Sequence, residues 1–501
     1  MAEKDYSTAT GSDTDQPVVD LQEDGRYVPT ADPEKTADIL PAEERDTTEQ
    51  ASAIRQKTPG SLTTDAQPGV SEGHRNVTNG IPDGGLQAWL QVLGAWVIMV
   101  ETFGLVNTFG VYQTYYETQL LVGKRGGTAT QIAWVGSLQA ALLLICGVVG
   151  GPLYDAGYFR HLIAGGLFFV VFGLFMTSLC TAYWQIILAQ GITMGIGMGL
   201  CFTPSNAVLS QYFHKKRPLV IGISSSGSPL AGIVFPILFS RLEPRIGFGW
   251  ATRIIAFILL GLATVPIAFM RPRVAPVGKA RRALFDQTAF KELPYVGMLV
   301  GSVFGFMCVF IPFFFLQLFG ERRGIYNSDF SPFYLVTMMN VGSFFGRLLP
   351  NAMAVRYGSI NLIVVCAGVS SILLFGWMGI ASQSANAAVD SDGSSYLAGT
   401  VVFALLYGLF SGGIVSLIAS VIIGLTKDLS RIGTRMGMSF FFTGIACLIG
   451  PPIAGSILGD GFSNERWLGT IGFGAACVFI ATLGFSVTRW SLWRQDKTMI
   501  A

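Results

Sequence analysis

This sequence predicts an all-α membrane protein of twelve transmembrane helices arranged as two pseudo-symmetric six-helix halves. Three observations carry the prediction. Hydrophobic residues make up 51% of the 501 and charged residues only 13%, too apolar a balance for a soluble chain of this length. Apolar runs long enough to cross ~30 Å of hydrocarbon at 1.5 Å per residue recur along the chain with short polar breaks. A basic, proline-punctuated stretch from Arg271 to Glu292 divides those runs into six and six.

The first element is a tail. Residues 1–83 hold 17 acidic and 7 basic side chains, a net −10, whereas the remainder holds 14 and 26, a net +12. Rich in Asp, Glu, Thr, Ser, Pro and Gly, the tail cannot bury enough surface to offset its ordering entropy, so disorder is expected. Its start, MAEKDYSTAT, is acidic and has no apolar core, so no cleavable signal is expected and the first span serves as the address. The sequon Asn76-Val77-Thr78 goes unused if the tail is cytoplasmic.

The first span runs from Leu86 to about Tyr112 and contains one carboxylate, Glu101, near its middle. Eleven more are placed at 129–150, 160–181, 184–210, 219–240, 251–270, 294–318, 331–350, 360–381, 396–424, 434–458 and 467–489. Twelve spans put both termini on one side. The loops on that side hold Arg160, the Lys215-Lys216-Arg217 cluster and the basic linker, while the other side holds Lys124, Arg125, Arg322 and Arg323. The bias, about two to one, places the termini in the cytoplasm. The expected organisation is an acidic tail 1–83, a six-helix bundle 84–270, a basic linker 271–292, a second bundle 293–490 and a short tail 491–501.

Charge and cysteine usage exclude several functions. The basic excess belongs to short loops between spans, which argues against nucleic-acid binding. All seven cysteines sit inside apolar runs without C-x-x-C spacing, so neither disulfides nor a metal site is expected, and no cofactor. The chain has no phosphate-cradling loop, and of its three histidines His74 and His214 lie outside the spans and His161 at the edge of one. ATP-driven pumping and catalysis are not expected, and no catalytic residue is assigned.

A repeat links the two halves. The loop after span two reads Gly151-Pro152-Leu153-Tyr154-Asp155-Ala156-Gly157-Tyr158-Phe159-Arg160, and the region after span eight holds Gly346-Arg347 and then Arg356-Tyr357-Gly358. Both resemble the G-x-L-x-D-R-x-G-R loop of the major facilitator superfamily, with Ala156 and Val355 as departures. That resemblance implies gating by Asp155, Arg160 and Arg356. Three further stretches are similar to the monocarboxylate porter branch, its fungal members above all: Asp83-Gly84-Gly85 with Trp89, Tyr212-Phe213 through Gly232, and Gly450-Pro451-Pro452 with Gly455. Animal members resemble one another in a span-one lysine and a span-eight Asp-x-x-x-Arg. Here those positions are Asn107, Ser343 and Arg347. Two of three ionisable groups are absent, which argues against proton-coupled lactate or pyruvate transport of the animal kind.

Seven residues follow as candidates. Glu101 is a proton carrier or substrate contact, or else a structural partner for a neighbouring hydroxyl or amide, because a charge at mid-membrane must face a bundle interior or a wet cavity. Arg347 offers a planar fork suited to a carboxylate, or else latches the inner loop or snorkels. Asn107, Gln139, Asn206, Asn340 and Ser343 are weaker substrate contacts, since polar residues in spans often satisfy one another. The predicted function is secondary active or facilitative transport of a small organic solute, a carboxylate or related metabolite, by alternating access. Direction is left open. The alternative is a solute-binding sensor signalling through its tail. Expected partners are the substrate, alone or with protons, and the lipid bilayer, with no nucleic acid; the unit is a monomer in the plasma membrane or, alternatively, an organellar one.

Overall fold

The computed structural model describes residues 83–123, 128–213, 216–273, 286–326, 330–386, 394–426, 432–459 and 461–496, all of whose regular elements are helical. The acidic tail, its sequon and much of the basic linker lie outside the described residues. Ten stretches are long and apolar enough to cross a membrane. One of them, Arg217–Phe269, is two helices: Gly247 (φ 78°, ψ 163°) breaks it into limbs 217–246 and 248–269. A twelfth, Phe333–Tyr357, has a more polar face.

The helices are α1 Leu86–Leu120, α2 Thr130–Gly151, α3 Phe159–Thr177, α4 Tyr183–Tyr212, α5 217–246 and α6 248–269. The second six are α7 Leu293–Arg323, α8 Phe333–Tyr357, α9 Ser359–Asn386, α10 Ser394–Leu425, α11 Ile432–Leu458 and α12 Asn464–Asp496. α3, α6, α9 and α12 carry exposed apolar side chains, among them Phe168, Phe257, Ile372 and Phe479, on faces suited to lipid. The remaining helices make the interior seams, α2 along α11, α5 along α8 and α1 against α7.

The first and seventh helices share a construction. Each consists of a 16-residue segment, Leu86–Glu101 or Leu293–Cys308, followed by a 13-residue one, Phe103–Tyr115 or Ile311–Arg323. The interruptions have different local causes. In α1, Thr102 (φ −109°, ψ −93°) turns its hydroxyl back to the Ile98 carbonyl at 2.7 Å, a bond that bends helices. In α7, Pro312 has no N–H for the Cys308 carbonyl one turn earlier. The loop repeat leaves a mark as well. Gly157 (φ 94°) follows α2 and Gly358 (φ 80°) ends α8, both in conformations that side chains rarely adopt.

Gly222 and Gly232 of α5 let that helix lie against α8. A Cβ on Gly222 would meet the Arg347 carbonyl at 2.8 Å, and one on Gly232 would overlap the Asn340 amide. Gly227, between them, faces the Trp96 carbonyl of α1. The α5 glycines thus serve two seams in alternation.

Candidate functional site

The chain has two ends, and hydrogen bonds identify which helix termini share one. Gln91 near the start of α1 donates to the Phe269 carbonyl and accepts from Arg271 N, and Tyr212 at the end of α4 donates to the Arg271 carbonyl. In the second half, Tyr295 near the start of α7 donates to the Arg435 carbonyl of α11, and Thr488 of α12 to the Pro294 carbonyl. This is the near end.

A cavity lies between the halves, toward the near end. Its wall is mostly apolar and aromatic: Met99 and Phe103 of α1, Phe202 of α4, Phe306 of α7, and Met436 and Phe440 of α11. Phe202 packs edge-on against Phe103 (centroids 5.2 Å) and lies 5.9 Å from Phe440, which joins the aromatic wall across the two halves. One patch is polar: Asn206, Ser225, Arg347 and Ser416.

Arg347 is the one charged residue in the lining. It is 2% exposed, its Nη1 donates to the Ser225 carbonyl at 2.9 Å, and its Nε makes no hydrogen bond. Asn351, one turn on, donates to the Arg347 carbonyl at 2.8 Å and to Ser416 Oγ at 2.7 Å. These bonds fix the helix backbone under the guanidinium and couple α8 to α10.

The other expected residues divide. Asn107 and Asn340 come together across the halves, Asn107 Nδ2 donating to Asn340 Oδ1 at 3.1 Å, on the seam and outside the cavity lining. Ser343 turns toward Gly412 of α10, with its Oγ 2.8 Å from the position a Cβ there would take. Glu101 is fully buried, with neither carboxyl oxygen hydrogen-bonded, and it does not line the cavity. It lies at the α1 interruption and within electrostatic range of Cys201 of α4, inside the first half. The structure does not bring Glu101 and Arg347 into an ion pair. Arg160 and Arg356 are exposed, and Arg356 sits 5.6 Å over the ring of its neighbour Tyr357. Neither is joined by an ion pair among the described residues, and the Asp155 side chain lies outside them.

Sequence reasoning missed the strongest charge cluster. Arg435 near the start of α11 grips Glu292 with Nη1 at 2.9 Å and Nη2 at 2.6 Å, and donates from Nε to Asp286 at 3.1 Å. The Thr288 hydroxyl, and then Arg435, hold the Asp286 carboxyl down at about 2. The clamp ties the end of the linker to the helix that carries Met436 and Phe440. At the far end, Arg241 of α5 donates to Tyr334 Oη of α8 at 2.8 Å, a tie between the halves on that side of the cavity.

Arg435→Gln is expected to lower thermal stability by on the order of 2 kcal/mol, between the values for exposed and buried pairs, since Glu292 is partly solvated. Because the Asp286 carboxyl titrates below its ordinary value, its contribution is complete above the unfolded-state pKa and lost only as pH falls through about 2. The wild-type minus Arg435→Gln difference in Tm, measured in detergent, should therefore stay flat from pH 8 to about pH 5. A difference that vanishes within that window would show that the clamp is not what holds α11.

Comparison with known proteins gives consistent matches. Residues 88–400 match the family described as Major Facilitator Superfamily. The chain is 39% identical over 399 residues to the MFS-type transporter dbaD of Emericella nidulans, covering 80% of this chain and 85% of the relative. It is also 39% identical over 421 residues to the aspyridones efflux protein apdF of the same organism, covering 83% and 81%. Among solved structures it is similar to the peptide transporter POT, with a TM-score of 0.60 at 13% identity over 84% of this chain and 99% of that one, a likeness of fold.

Proposed function

The chain belongs to the Major Facilitator Superfamily, and on that premise we propose that it exports an organic acid with a flat apolar body, taken up in the central cavity with its anionic group on Arg347. The chain is a multi-pass membrane transporter, not an enzyme, with a small-molecule substrate and lipid around it. The observation that carries the substrate reading is the cavity wall: a single guanidinium beside three small polar residues, facing phenylalanines from α1, α4, α7 and α11. Such a wall buries rings, while one buried cation selects a negative charge.

That composition favours a ring-bearing acid over a hydrophilic one such as lactate, whatever the resemblance to monocarboxylate porters. Export follows from the relative named for efflux and is carried over as part of the proposal. The relatives bear transporter names, which lends the sensor reading no support. In this reading 84–270 and 293–490 rock about the cavity as two bundles, joined by the linker 271–292, in a monomer of the plasma membrane with cytoplasmic termini. Asn107 and Asn340 separate when the seam opens. Glu101, buried and unpartnered at the α1 interruption, is the group for a coupled proton. Reconstituted vesicles test the function directly. Entrapped 2-naphthoate should leave vesicles that contain the chain and stay in empty ones, with 2-naphthamide moved far more slowly; equal rates for acid and amide would defeat the anion requirement.

A further inference from the structure

Among the described residues, the side chain of the buried cation Arg347 is hydrogen-bonded to a main-chain oxygen, the carbonyl of Ser225 on the opposite half. That carbonyl is available for a reason written in the sequence. In a continuous helix the Ser225 carbonyl would accept from the amide four residues on, which belongs to Pro229 and has no hydrogen. The next bond of the ladder is present but long, Leu230 N donating to the Ser226 carbonyl at 3.4 Å. The ladder is loosened here: one helical segment runs Arg217–Ser225 and the next begins at Gly227, with Ser226 between them still near helical geometry (φ −64°, ψ −15°). Ser225 and Arg347 line the same cavity.

We propose that Pro229 is a positioning residue for Arg347. By withholding an N–H, it leaves the Ser225 carbonyl free to hold Nη1 and so turns the remaining edge of the guanidinium, Nε and Nη2, toward the anion. Nε is buried and unbonded, the state expected of a donor kept for a ligand. A carboxylate meeting that edge accepts two parallel bonds while Nη1 stays on Ser225. Nothing in the local sequence of α8 supplies this orientation; it comes from a proline on α5. The inference rests on the reading of Arg347 as the anion contact.

Pro229→Ala tests it. The new amide can donate to the Ser225 carbonyl and compete with Arg347, and an alanine at a buried helical position should not harm folding. Equilibrium binding of 2-naphthoate and of neutral 2-naphthamide would be measured on the purified full chain in four forms: wild type, Pro229→Ala, Arg347→Gln and the double variant. The expected result is a loss of ~10-fold or more in naphthoate affinity for Pro229→Ala, the scale of a hydrogen bond to a charged group. Naphthamide affinity should be unchanged, and Pro229→Ala should add nothing in the Arg347→Gln background. Unchanged naphthoate affinity in Pro229→Ala, with binding lost in Arg347→Gln, overturns the proline's role and leaves the anion reading standing. Equal losses for acid and amide overturn it too, since they mark general damage to the cavity. No naphthoate binding by the wild type, or undiminished binding by Arg347→Gln, removes the anion reading and this inference with it.

Discussion

Arg347→Gln should abolish transport of an acidic substrate, lowering its apparent affinity by ~10²-fold or more, the scale for truncating one partner of a buried charge pair. The guanidinium is 2% exposed and is the one charged group in the cavity lining, so no neighbouring cation takes over when it is lost. Arg347→Lys separates charge from geometry. It keeps a cation but cannot hold the Ser225 carbonyl and a carboxylate together through one rigid fork, so affinity should fall by an intermediate amount while some flux survives. Initial rates of naphthoate efflux from vesicles, set against the amount of folded protein incorporated, supply the measurement. Normal folding with unchanged affinity in Arg347→Gln would move the substrate class to neutral molecules held by the phenylalanines and amides.

Much of this site was legible from residue types, and the rest failed for identifiable reasons. Arg347 stood out because a charge inside an apolar run needs a purpose. Its face of α8 is readable as well: Thr337, Asn340, Arg347 and Asn351 are all buried and polar, spaced in steps of three, seven and four. The Asn107 to Asn340 bond joins residues 233 apart, and no local pattern announces such a pairing. The same holds for Arg435, whose partners are 143 and 149 residues distant; in the sequence it reads as one more basic residue near a span end. Span boundaries slipped where polar residues continue a helix. α1 extends to Leu120 through a π-helical turn, Tyr116–Leu120, and α5 and α6 meet at Gly247 without a loop, so Arg241 and Arg245 lie on a helix. The distortion of α1 falls at Thr102, where a hydroxyl bonds back to the preceding turn, and no proline or glycine stands at that position in the sequence.

Glu101→Gln is expected to remove flux driven by a pH gradient while leaving exchange of substrate across the membrane largely intact. The carboxyl is fully buried, and neither oxygen has a hydrogen-bond donor. A charge kept in such a place costs several kcal/mol, and adding a proton removes that charge. The group therefore changes state only if the protein exposes it, and its position beside the Thr102 interruption offers the means. When the two segments of α1 shift against each other, the residue at the joint is the one whose surroundings change most. Opening toward water would favour loss of the proton, and closing would favour its capture, so that proton movement follows the conformational cycle. Glutamine has nearly the same shape and cannot carry the proton, so the packing against α4 is kept and only the coupling is lost; Glu101→Ala would also leave a void and so confounds the two effects. The measurement pairs a pH-sensitive dye inside vesicles with labelled naphthoate: wild type should show both proton and substrate movement, and Glu101→Gln should show counterflow of substrate with proton movement at the background rate. If both signals persist in Glu101→Gln, the carboxyl is a structural residue of the first half, and the transporter either runs as a facilitator or couples through another group.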